Sequence, residues 1–257
     1  QQSIHYVLGS DFNFKIWERP FKLTNELYYK QMDNLIPYER DNVRIRYYAT
    51  NNARGYAVGF ETKLHGEFVK DVDSWASIAV MSIKEDLRDD YYIEYQDAEG
   101  NRVIPYWDGT ASITDTVRYE PGYIPRPTDQ RVNFGLFFQD YIPKHPNYKM
   151  HLNLLYGTGL PTGPPSFERY KDTLRLPPYR RVDIGFSFQL LSEKSETREK
   201  SPLKVFKSVW LSAEVFNLLQ INNTISYLWI KDVTGSQYAV PNYLTSRRLN
   251  LKLVARF

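Results

Sequence analysis

The sequence predicts an all-β fold, specifically a transmembrane antiparallel β-barrel, on the strength of three observations. The chain ends in a segment that alternates apolar and polar side chains and stops at the aromatic residue Phe257. Eight earlier segments show the same period of two, which places alternate side chains on opposite faces of a strand. The connections between the segments fall into a short class and a long class, as the turns and surface loops of outer-membrane barrels do.

The terminal segment, residues 248–257, gives the clearest pattern. Its apolar face carries Leu249, Leu251, Leu253, Ala255 and Phe257, and its polar face carries Asn250, Lys252 and Arg256. A strand of this kind suits a position with hydrocarbon on one side and water on the other. An edge strand of a soluble sheet would show the same alternation, so this segment alone does not distinguish the two.

The other predicted strands follow in chain order, and no segment of helical period competes with them. They span residues 4–14, 21–29, 56–64, 74–83, 132–139, 148–156, 182–190 and 209–215. Residues 217–230 are apolar but rich in Asn and β-branched side chains, which predicts a bent continuation of the preceding strand. Strands of about 12 residues, at roughly 3.3 Å each and tilted by about 45°, would cross the hydrocarbon layer.

The predicted connections are sorted by length. The short ones lie at residues 15–20, 67–73 and 142–147, and the charged segment 192–204 falls on the same side although it is longer. The long ones lie at residues 33–53, 86–130, 157–179 and 231–246. Within the longest, the turn formers Asp97-Ala98-Glu99-Gly100-Asn101 predict a hairpin between residues 91–95 and 102–104.

Charged side chains occupy the polar face of several predicted strands. They are Glu61, Lys63, Arg181, Asp183, Glu214 and Lys252. Charges in mid-strand would be costly against a dry core, so we expect them to face a water-filled lumen or a polar plug. In a soluble sheet they would form the solvent face.

Composition and motifs exclude several other classes of protein. The absence of cysteine rules out disulfides and thiolate chemistry, and the net charge of +3 gives no case for nucleic acid. The four histidines show no ligand spacing, and no nucleophile elbow, phosphate loop or dinucleotide fingerprint is present, so neither a metal, a cofactor nor an enzyme is expected. No apolar run reaches the ~18 residues of a membrane helix.

Two stretches carry more specific motifs. The first is Gly157-Thr158-Gly159-Leu160-Pro161-Thr162-Gly163-Pro164-Pro165, followed by Leu176-Pro177-Pro178-Tyr179-Arg180-Arg181-Val182-Asp183. The second is Glu214-Val215-Phe216-Asn217-Leu218-Leu219, followed by Gln237-Tyr238-Ala239-Val240-Pro241-Asn242-Tyr243 and the terminal strand. Together they resemble the C-terminal part of TonB-dependent outer-membrane receptors of the Bacteroidetes type, most strongly from residue 131 onward.

The resemblance implies about nine C-terminal strands of a 22-stranded plugged barrel that imports a nutrient. It implies a bacterial outer-membrane location, with the long loops extracellular and the C-terminus periplasmic. The implied partners are outer-membrane lipid and lipopolysaccharide, the receptor's N-terminal plug and other strands, and TonB acting through that N-terminal region. No plug is present in residues 1–257, and nine strands counted back from a periplasmic Phe257 put Gln1 outside. We therefore expect this chain to be the C-terminal portion of a longer receptor.

The candidate ligand contacts are aromatic side chains of the long loops, because rigid loops bearing aromatic rings suit binding surfaces. They are Tyr91, Tyr92, Tyr106, Trp107, Tyr123 and Tyr243. Three other functions remain open. The barrel could be a docking scaffold for a surface lipoprotein or a larger assembly, the chain could be a soluble all-β binding module, or it could be an outer-membrane enzyme, although no nucleophile–base pair is visible.

Overall fold

The computed structural model describes residues 1–104, 113–142, 145–166, 168–170, 173–192, 205–233 and 236–257, and every regular element in those ranges is a β-strand. In chain order the strands are β1 (Gln2–Ile16), β2 (Arg19–Leu35), β3 (Tyr38–Asp41), β4 (Arg44–Tyr47), β5 (Ala53–Val69), β6 (Val72–Leu87), β7 (Tyr92–Gln96), β8 (Arg102–Val103), β9 (Asp115–Tyr119), β10 (Ile124–Pro125), β11 (Val132–Ile142), β12 (His145–Gly157), β13 (Pro161–Thr162), β14 (Leu174–Arg175), β15 (Tyr179–Leu191), β16 (Ser208–Phe216), β17 (Thr224–Lys231), β18 (Gln237–Tyr243) and β19 (Arg248–Arg256). Within the same ranges there is no helix of the length and apolarity that a membrane crossing requires.

One large antiparallel sheet dominates the molecule. Its strands run in the order β1-β2-β5-β6-β11-β12-β15-β16-β19, and β10 pairs with the end of β6. These nine long strands coincide with the nine that the sequence predicts, so the all-β class and the antiparallel sheet are confirmed. In the described part of the chain, β1 pairs with β2 alone and β19 with β16 alone, which leaves two open edges.

The register assigns every strand residue to one of two faces, because residues opposite each other in a ladder share a face. Lys63 pairs with Ser77, Ser77 with Gly135, Gly135 with Leu155, and Leu155 with Arg181. Further along the sheet, Gly185 pairs with Glu214, which pairs with Asn250. Since side chains two positions apart on a strand point the same way, all six charged residues named above lie on one face, here called the polar face.

The opposite face, here called the apolar face, is built of aliphatic and aromatic rows that cross the sheet. One row joins Leu8, Leu27, Phe60, Val80 and Val132, and another joins Phe12, Leu23, Leu64, Ala76, Leu136, Leu154 and Val182. Many side chains of the apolar face are uncovered, among them Leu251, which is 76% exposed, and Phe186, which is 50% exposed. The face is therefore a sheet-wide apolar surface without a packing partner in the described chain.

The two ends of the sheet differ as the sequence predicts. At one end, tight turns at Trp17-Glu18 and Lys70-Asp71 join adjacent strands. At the other end lie loop A (36–52), loop B (88–131), loop C (158–178) and loop D (217–247). Gln2 pairs with Asp33 at the long-loop end, whereas Arg256 pairs with Ser208 at the opposite end.

The long loops carry small sheets of their own. Loop A contains the β3–β4 hairpin, loop C the β13–β14 pair, and loop D the β17–β18 hairpin. In loop B, Tyr95 pairs with Val103 and Gln96 with Arg102 around the turn at residues 97–101, which confirms the hairpin predicted there. The structure adds β9 on the other side of β7.

One predicted strand is wrong. Residues 217–230 do not continue β16 but leave it in a sharp turn at Asn217, where φ is 52°, before β17 begins. The Asn217 side chain causes the turn, because its amide donates to the carbonyl of Ile221 and its oxygen accepts from the amide of the same residue. The last long connection therefore spans residues 217–247 and not 231–246.

A small core lies at the long-loop end, where the loops cover the polar face. It is formed by Met32, Leu35, Ala53, Ala57, Leu87 and Ile124, with Tyr48, Ile83 and Tyr170 packed against it. Met32 is in register with Gly55, and Gly55 with Glu85, so this core lies on the same face as Lys63 and Arg181. The loops thus cover the polar face at this end and leave most of the apolar face open.

Candidate functional site: the polar face beneath the long loops

A buried carboxylate of the sheet anchors three of the long loops. Glu85 of β6 is fully buried and accepts a hydrogen bond from Nη2 of Arg169 in loop C. Arg169 also donates to the carbonyl of Pro125 in loop B at 2.6 Å, and its backbone amide donates to the Tyr48 hydroxyl of loop A at 3.3 Å. Burial lowers the pKa of the Arg169 guanidinium, and the neighbouring Tyr48 opposes that shift.

A second buried carboxylate fixes the return of loop B. Asp129 accepts from the backbone amide of Ile83 at 2.6 Å and from Nε of Arg131 at 2.7 Å. Arg175 of loop C donates to its carboxylate and, at 2.8 Å, to its backbone carbonyl. Because a buried carboxylate is stable only when donors surround it, these contacts determine where loops B and C cross the sheet.

Loop D contacts loop A although their strands lie far apart in the sheet. Nδ2 of Asn242 donates to Oδ1 of Asn42 and to Oγ of Ser226 at 3.1 Å, and the Ser226 hydroxyl donates to Asn42 at 3.3 Å. Loop A in turn contacts loop C, where Arg46 donates to the carbonyl of Pro165 at 3.3 Å. The four loops therefore form one hydrogen-bonded cluster over the polar face.

Several of the charged residues predicted for this face contact other side chains, within their own strand or on a neighbouring one. Arg181 donates through Nε to Asp183 at 2.7 Å, Glu214 accepts from Asn250 at 2.9 Å, and Lys63 lies 5.3 Å from the centre of the Trp75 ring. Glu61 and Lys63 line a cavity of about 430 Å³ in the middle of the face. Lys252 shares the face through its register with Ser212.

The six aromatic residues predicted to contact ligand do not form one group. Tyr92 begins β7 in the small sheet of loop B, and its ring lies 4.9 Å from that of Tyr119. Tyr91 immediately precedes β7, and the Arg118 guanidinium is 4.1 Å from its ring. Tyr243 ends β18 and is exposed. Tyr106 and Trp107 lie outside the described residues.

Tyr123 has a different environment from the other predicted ligand contacts. Its ring lies 5.3 Å from that of Tyr56, which belongs to the apolar face, and 5.8 Å from the Arg54 guanidinium. It therefore extends a row of tyrosines along the apolar side of the sheet. A ligand role for these aromatic residues stays a prediction.

Sequence reasoning missed Glu85, Asp129, Arg169 and Arg175. In the sequence each of them looks like any other charged residue of a loop or strand end. The partners Glu85 and Arg169 are 84 positions apart. The Pro-rich character of loop C signals a rigid segment, but nothing local indicates which carboxylate its arginines meet. In the described part of the chain, no group of three or more His, Asp and Glu side chains is arranged to hold a metal ion.

Comparison with known proteins adds no family to this picture. The chain matches no protein-family model, no curated protein and no solved structure. The functional argument therefore rests on the residues and the geometry above.

Proposed function

We propose that this chain forms part of the wall of a bacterial outer-membrane β-barrel, with its apolar face against acyl chains and its polar face towards the lumen. The observation that carries the proposal is the uncovered apolar face, which crosses all nine strands of the sheet. Exposed apolar patches on soluble monomers rarely exceed a few hundred Å². A surface of this extent needs a hydrocarbon environment or another protein layer.

The distribution of charge favours hydrocarbon. On the apolar face of the described strands, Asp, Glu, Lys and Arg occur only near the strand ends. They are Arg19 and Asp140 near the tight turns, and Asp33, Arg54, Lys84, Asp86 and Arg180 near the long loops. A charge at the middle of a bilayer costs about 2–4 kcal/mol in a barrel, whereas one at the interface costs little.

Aromatic rows border the charge-free band at both ends. Near the long loops, the rings of Tyr6, Tyr29, Tyr56 and Tyr123 follow one another at 6.4, 6.3 and 5.3 Å. Near the tight turns, Phe12, Phe14 and Phe21 follow at 5.5 and 5.9 Å, and Tyr148 stacks on Phe188 at 4.6 Å. Such paired girdles mark the two interfaces of a membrane barrel.

The separation of the two rows fits a bilayer. On β2 the rows are represented by Phe21 and Tyr29, and on β12 by Tyr148 and Tyr156, eight positions apart in each case. Eight residues extend about 26 Å along a strand, or roughly 20 Å along the membrane normal at a tilt near 40°. With the rings' own size added, this approaches the ~25 Å apolar band of outer-membrane barrels.

Polar side chains inside the band bond to one another. Ser10, Asn25 and Thr62 share the apolar face in mid-strand. The Thr62 hydroxyl donates to Oδ1 of Asn25 at 2.7 Å, and Nδ2 of Asn25 donates to the Ser10 hydroxyl at 3.4 Å. Mutual hydrogen bonding of this kind removes most of the cost of placing polar groups in hydrocarbon.

We further propose that the barrel is a receptor that imports a nutrient, as the resemblance to TonB-dependent receptors implies. The open edges of β1 and β19 require further strands, because unpaired backbone groups are not tolerated in lipid. The polar lumen suits a plug. The inward-folded loop cluster supports ligand capture at the outer mouth. TonB would act through the plug-bearing part of the receptor.

The membrane placement can be tested by extraction. Outer membranes carrying the native protein are washed with high salt and then solubilised with detergent, and the protein is followed by immunoblot. We expect it to resist salt and to enter only the detergent fraction. Release by salt alone would remove both the barrel and the import proposals.

Import is tested separately in a deletion strain of the host. The strain is grown on single sources of iron chelates, corrinoids, glycans or peptides, with the wild-type gene or with a gene lacking residues 91–104 supplied in trans. We expect a growth defect on one class of nutrient that the wild type restores and the loop deletion does not. Full growth on every class, with normal insertion of the protein, would contradict import.

One observation favours the alternative of a docking scaffold for a surface lipoprotein. The β17–β18 hairpin exposes Leu228, Ile230, Tyr238 and Val240, which its register places on one face. An exposed apolar patch of this kind suits contact with a second protein. Unimpaired growth together with loss of a surface lipoprotein from the membrane would support this function over import.

A further inference from the structure

A small basic cavity lies on the polar face at the base of loop D. It has a volume of about 200 Å³, and its lining includes Tyr179, Arg181, Phe216, Thr245, Ser246 and Arg248. Loop D leaves β16 at Phe216 and joins β19 at Arg248, and these two residues are paired in the β16–β19 ladder. The cavity is therefore built on two neighbouring strands and not on loop residues alone.

Two arginines line this cavity together with the aromatic ring of Phe216. The Arg181 guanidinium lies 5.2 Å from the centre of the Phe216 ring, and Arg248 lies on the other side of Phe216 in the register. Arg248 is exposed and makes no ion pair with the described residues. No carboxylate is among the residues that line the cavity.

The nearby carboxylate is held away from the cavity. Asp183 is 3% exposed and accepts three hydrogen bonds, from Nε of Arg181 at 2.7 Å, from the amide of Asn217 at 2.8 Å and from Nδ2 of Asn153 at 3.4 Å. It fixes the orientation of Arg181 through Nε alone, and a guanidinium has four further N–H donors. The cavity keeps a net positive charge because Asp183 balances only one of its two arginines.

The walls of the cavity are rigid. Asn223 is buried, accepts from the backbone amide of Arg180 at 2.8 Å and donates to the carbonyl of the same residue at 2.9 Å. Asn217 closes the turn to Ile221 on the other side. Groups that are already ordered lose little entropy when a ligand binds, so weak anions gain affinity at such a place.

We propose that this cavity binds an oxyanion group, a carboxylate or a phosphate ester, of a ligand captured beneath the loops. Guanidinium groups match both anions through paired N–H donors, and the Thr245 and Ser246 hydroxyls add donors on the loop side. The volume is below the ~300 Å³ of a site for a whole drug-sized ligand, so the cavity is a subsite for the charged end. This inference rests on the proposed role of the polar face in ligand capture.

Binding is measured on the purified native protein in detergent micelles, with ¹³C-acetate and inorganic phosphate as separate probes followed by NMR line broadening. We expect millimolar binding of at least one probe, and the stronger probe distinguishes a carboxylate from a phosphate ligand. Arg248→Gln should weaken it about tenfold, the equivalent of about 1.4 kcal/mol. Lys252→Gln is the matched control, since it removes the same charge from the same face and strand outside the cavity, and should bind as the wild type does.

Absence of binding to the wild-type protein, or equal weakening in both variants, would overturn the subsite. Detergent-dependent extraction is recorded for each variant and should not change. A failed binding experiment with normal extraction would therefore remove the subsite alone and leave the membrane placement standing.

Discussion

Single residues shape the sheet where aromatic rings cover glycines of the adjacent strand. Tyr28 lies over Gly59, His151 over Gly185, and Phe21 over Gly66, each in direct register. The ring occupies the space that a Cβ would need, which restores side-chain contact at a glycine and lets the strand bend. The polar and apolar faces both use this arrangement.

Replacement of Gly185 tests this packing. A valine there would collide with the imidazole of His151, so we expect Gly185→Val to destabilise the folded protein by about 1–3 kcal/mol. The measurement is urea unfolding of the protein in micelles, for Gly185→Val and for its combination with His151→Ala. The double variant should recover much of the loss, whereas simple additivity of the two effects would show that the ring does not fill this space.

At the scale of elements, the arrangement of the long loops depends on a few buried ion pairs. Arg169 connects loop C to Glu85 of the sheet, and Arg126 of loop B approaches the same carboxylate to 3.3 Å. Removing one partner of a buried pair leaves an uncompensated charge and typically costs 3–5 kcal/mol. Exposed pairs such as Arg54–Asp86 contribute little by comparison.

Arg169→Gln should therefore release loop C without unfolding the sheet. We expect faster hydrogen exchange across residues 158–178 and new protease cleavage there, with β6 and β12 protected as before. Arg54→Gln serves as the control and should leave loop C unchanged. A variant Arg169→Gln/Glu85→Gln should recover part of the protection, and its failure to do so would mean that another contact holds the loop.

Loop B contains a carboxyl group that responds to pH. Burial, together with the charges of Asp86 and Glu120, raises the pKa of Asp90 to about 6, and Arg54, Arg88 and Arg118 line the same cavity. An acid whose pKa is raised by folding binds more protons in the folded state. The stabilising contribution of Asp90 is thus fully present below about pH 4, which is the pKa of an aspartic acid in the unfolded chain. It is lost as the pH rises through about 6, the pKa of Asp90 in the folded protein.

Local stability of loop B should accordingly fall between pH 4 and pH 7. Hydrogen exchange of residues 88–96, corrected for the intrinsic pH dependence of exchange, measures it. In Asp90→Asn we expect this fall to be smaller and the loop to be better protected at pH 7. The same pH profile in the variant and the wild type would assign the effect to another group.

The elements also show which features the sequence could predict. The alternation of apolar and polar side chains predicts all nine long strands. This period of two persists because each face of the sheet has the same surroundings along most of a strand. The predicted bounds are too short, as with residues 4–14 for β1 (Gln2–Ile16), because strands run past the apolar band into ends where both faces are polar. The turn at Asn217 depends on the hydrogen bonds of its own side chain. The pairing of Glu85 with Arg169 depends on contact between segments that are distant in sequence. Hydrophobic periodicity predicts neither of these features.

At the scale of the whole molecule, the sheet separates two environments. One face carries paired charges, small cavities and the loop cluster, and the other carries an uncovered apolar band between two aromatic rows. A soluble protein would bury such a band against a second layer. In the described residues the loop cluster lies on the polar side, and Tyr123 of loop B reaches only the border of the apolar face. The account therefore depends on acyl chains as the partner of the apolar face.

The most direct test uses single cysteine labels, which are straightforward because the chain contains no cysteine. Phe186→Cys and Ser187→Cys are adjacent on β15 and lie on opposite faces. Each is labelled with a small fluorophore in the protein reconstituted in vesicles and quenched with either brominated acyl chains or aqueous iodide. We predict that the brominated lipid quenches the label at 186 and does not quench the label at 187. The label at 187 should respond only to iodide. Equal responses at the two positions, or a label at 186 that the brominated lipid does not quench, would contradict the placement of the apolar face in the membrane.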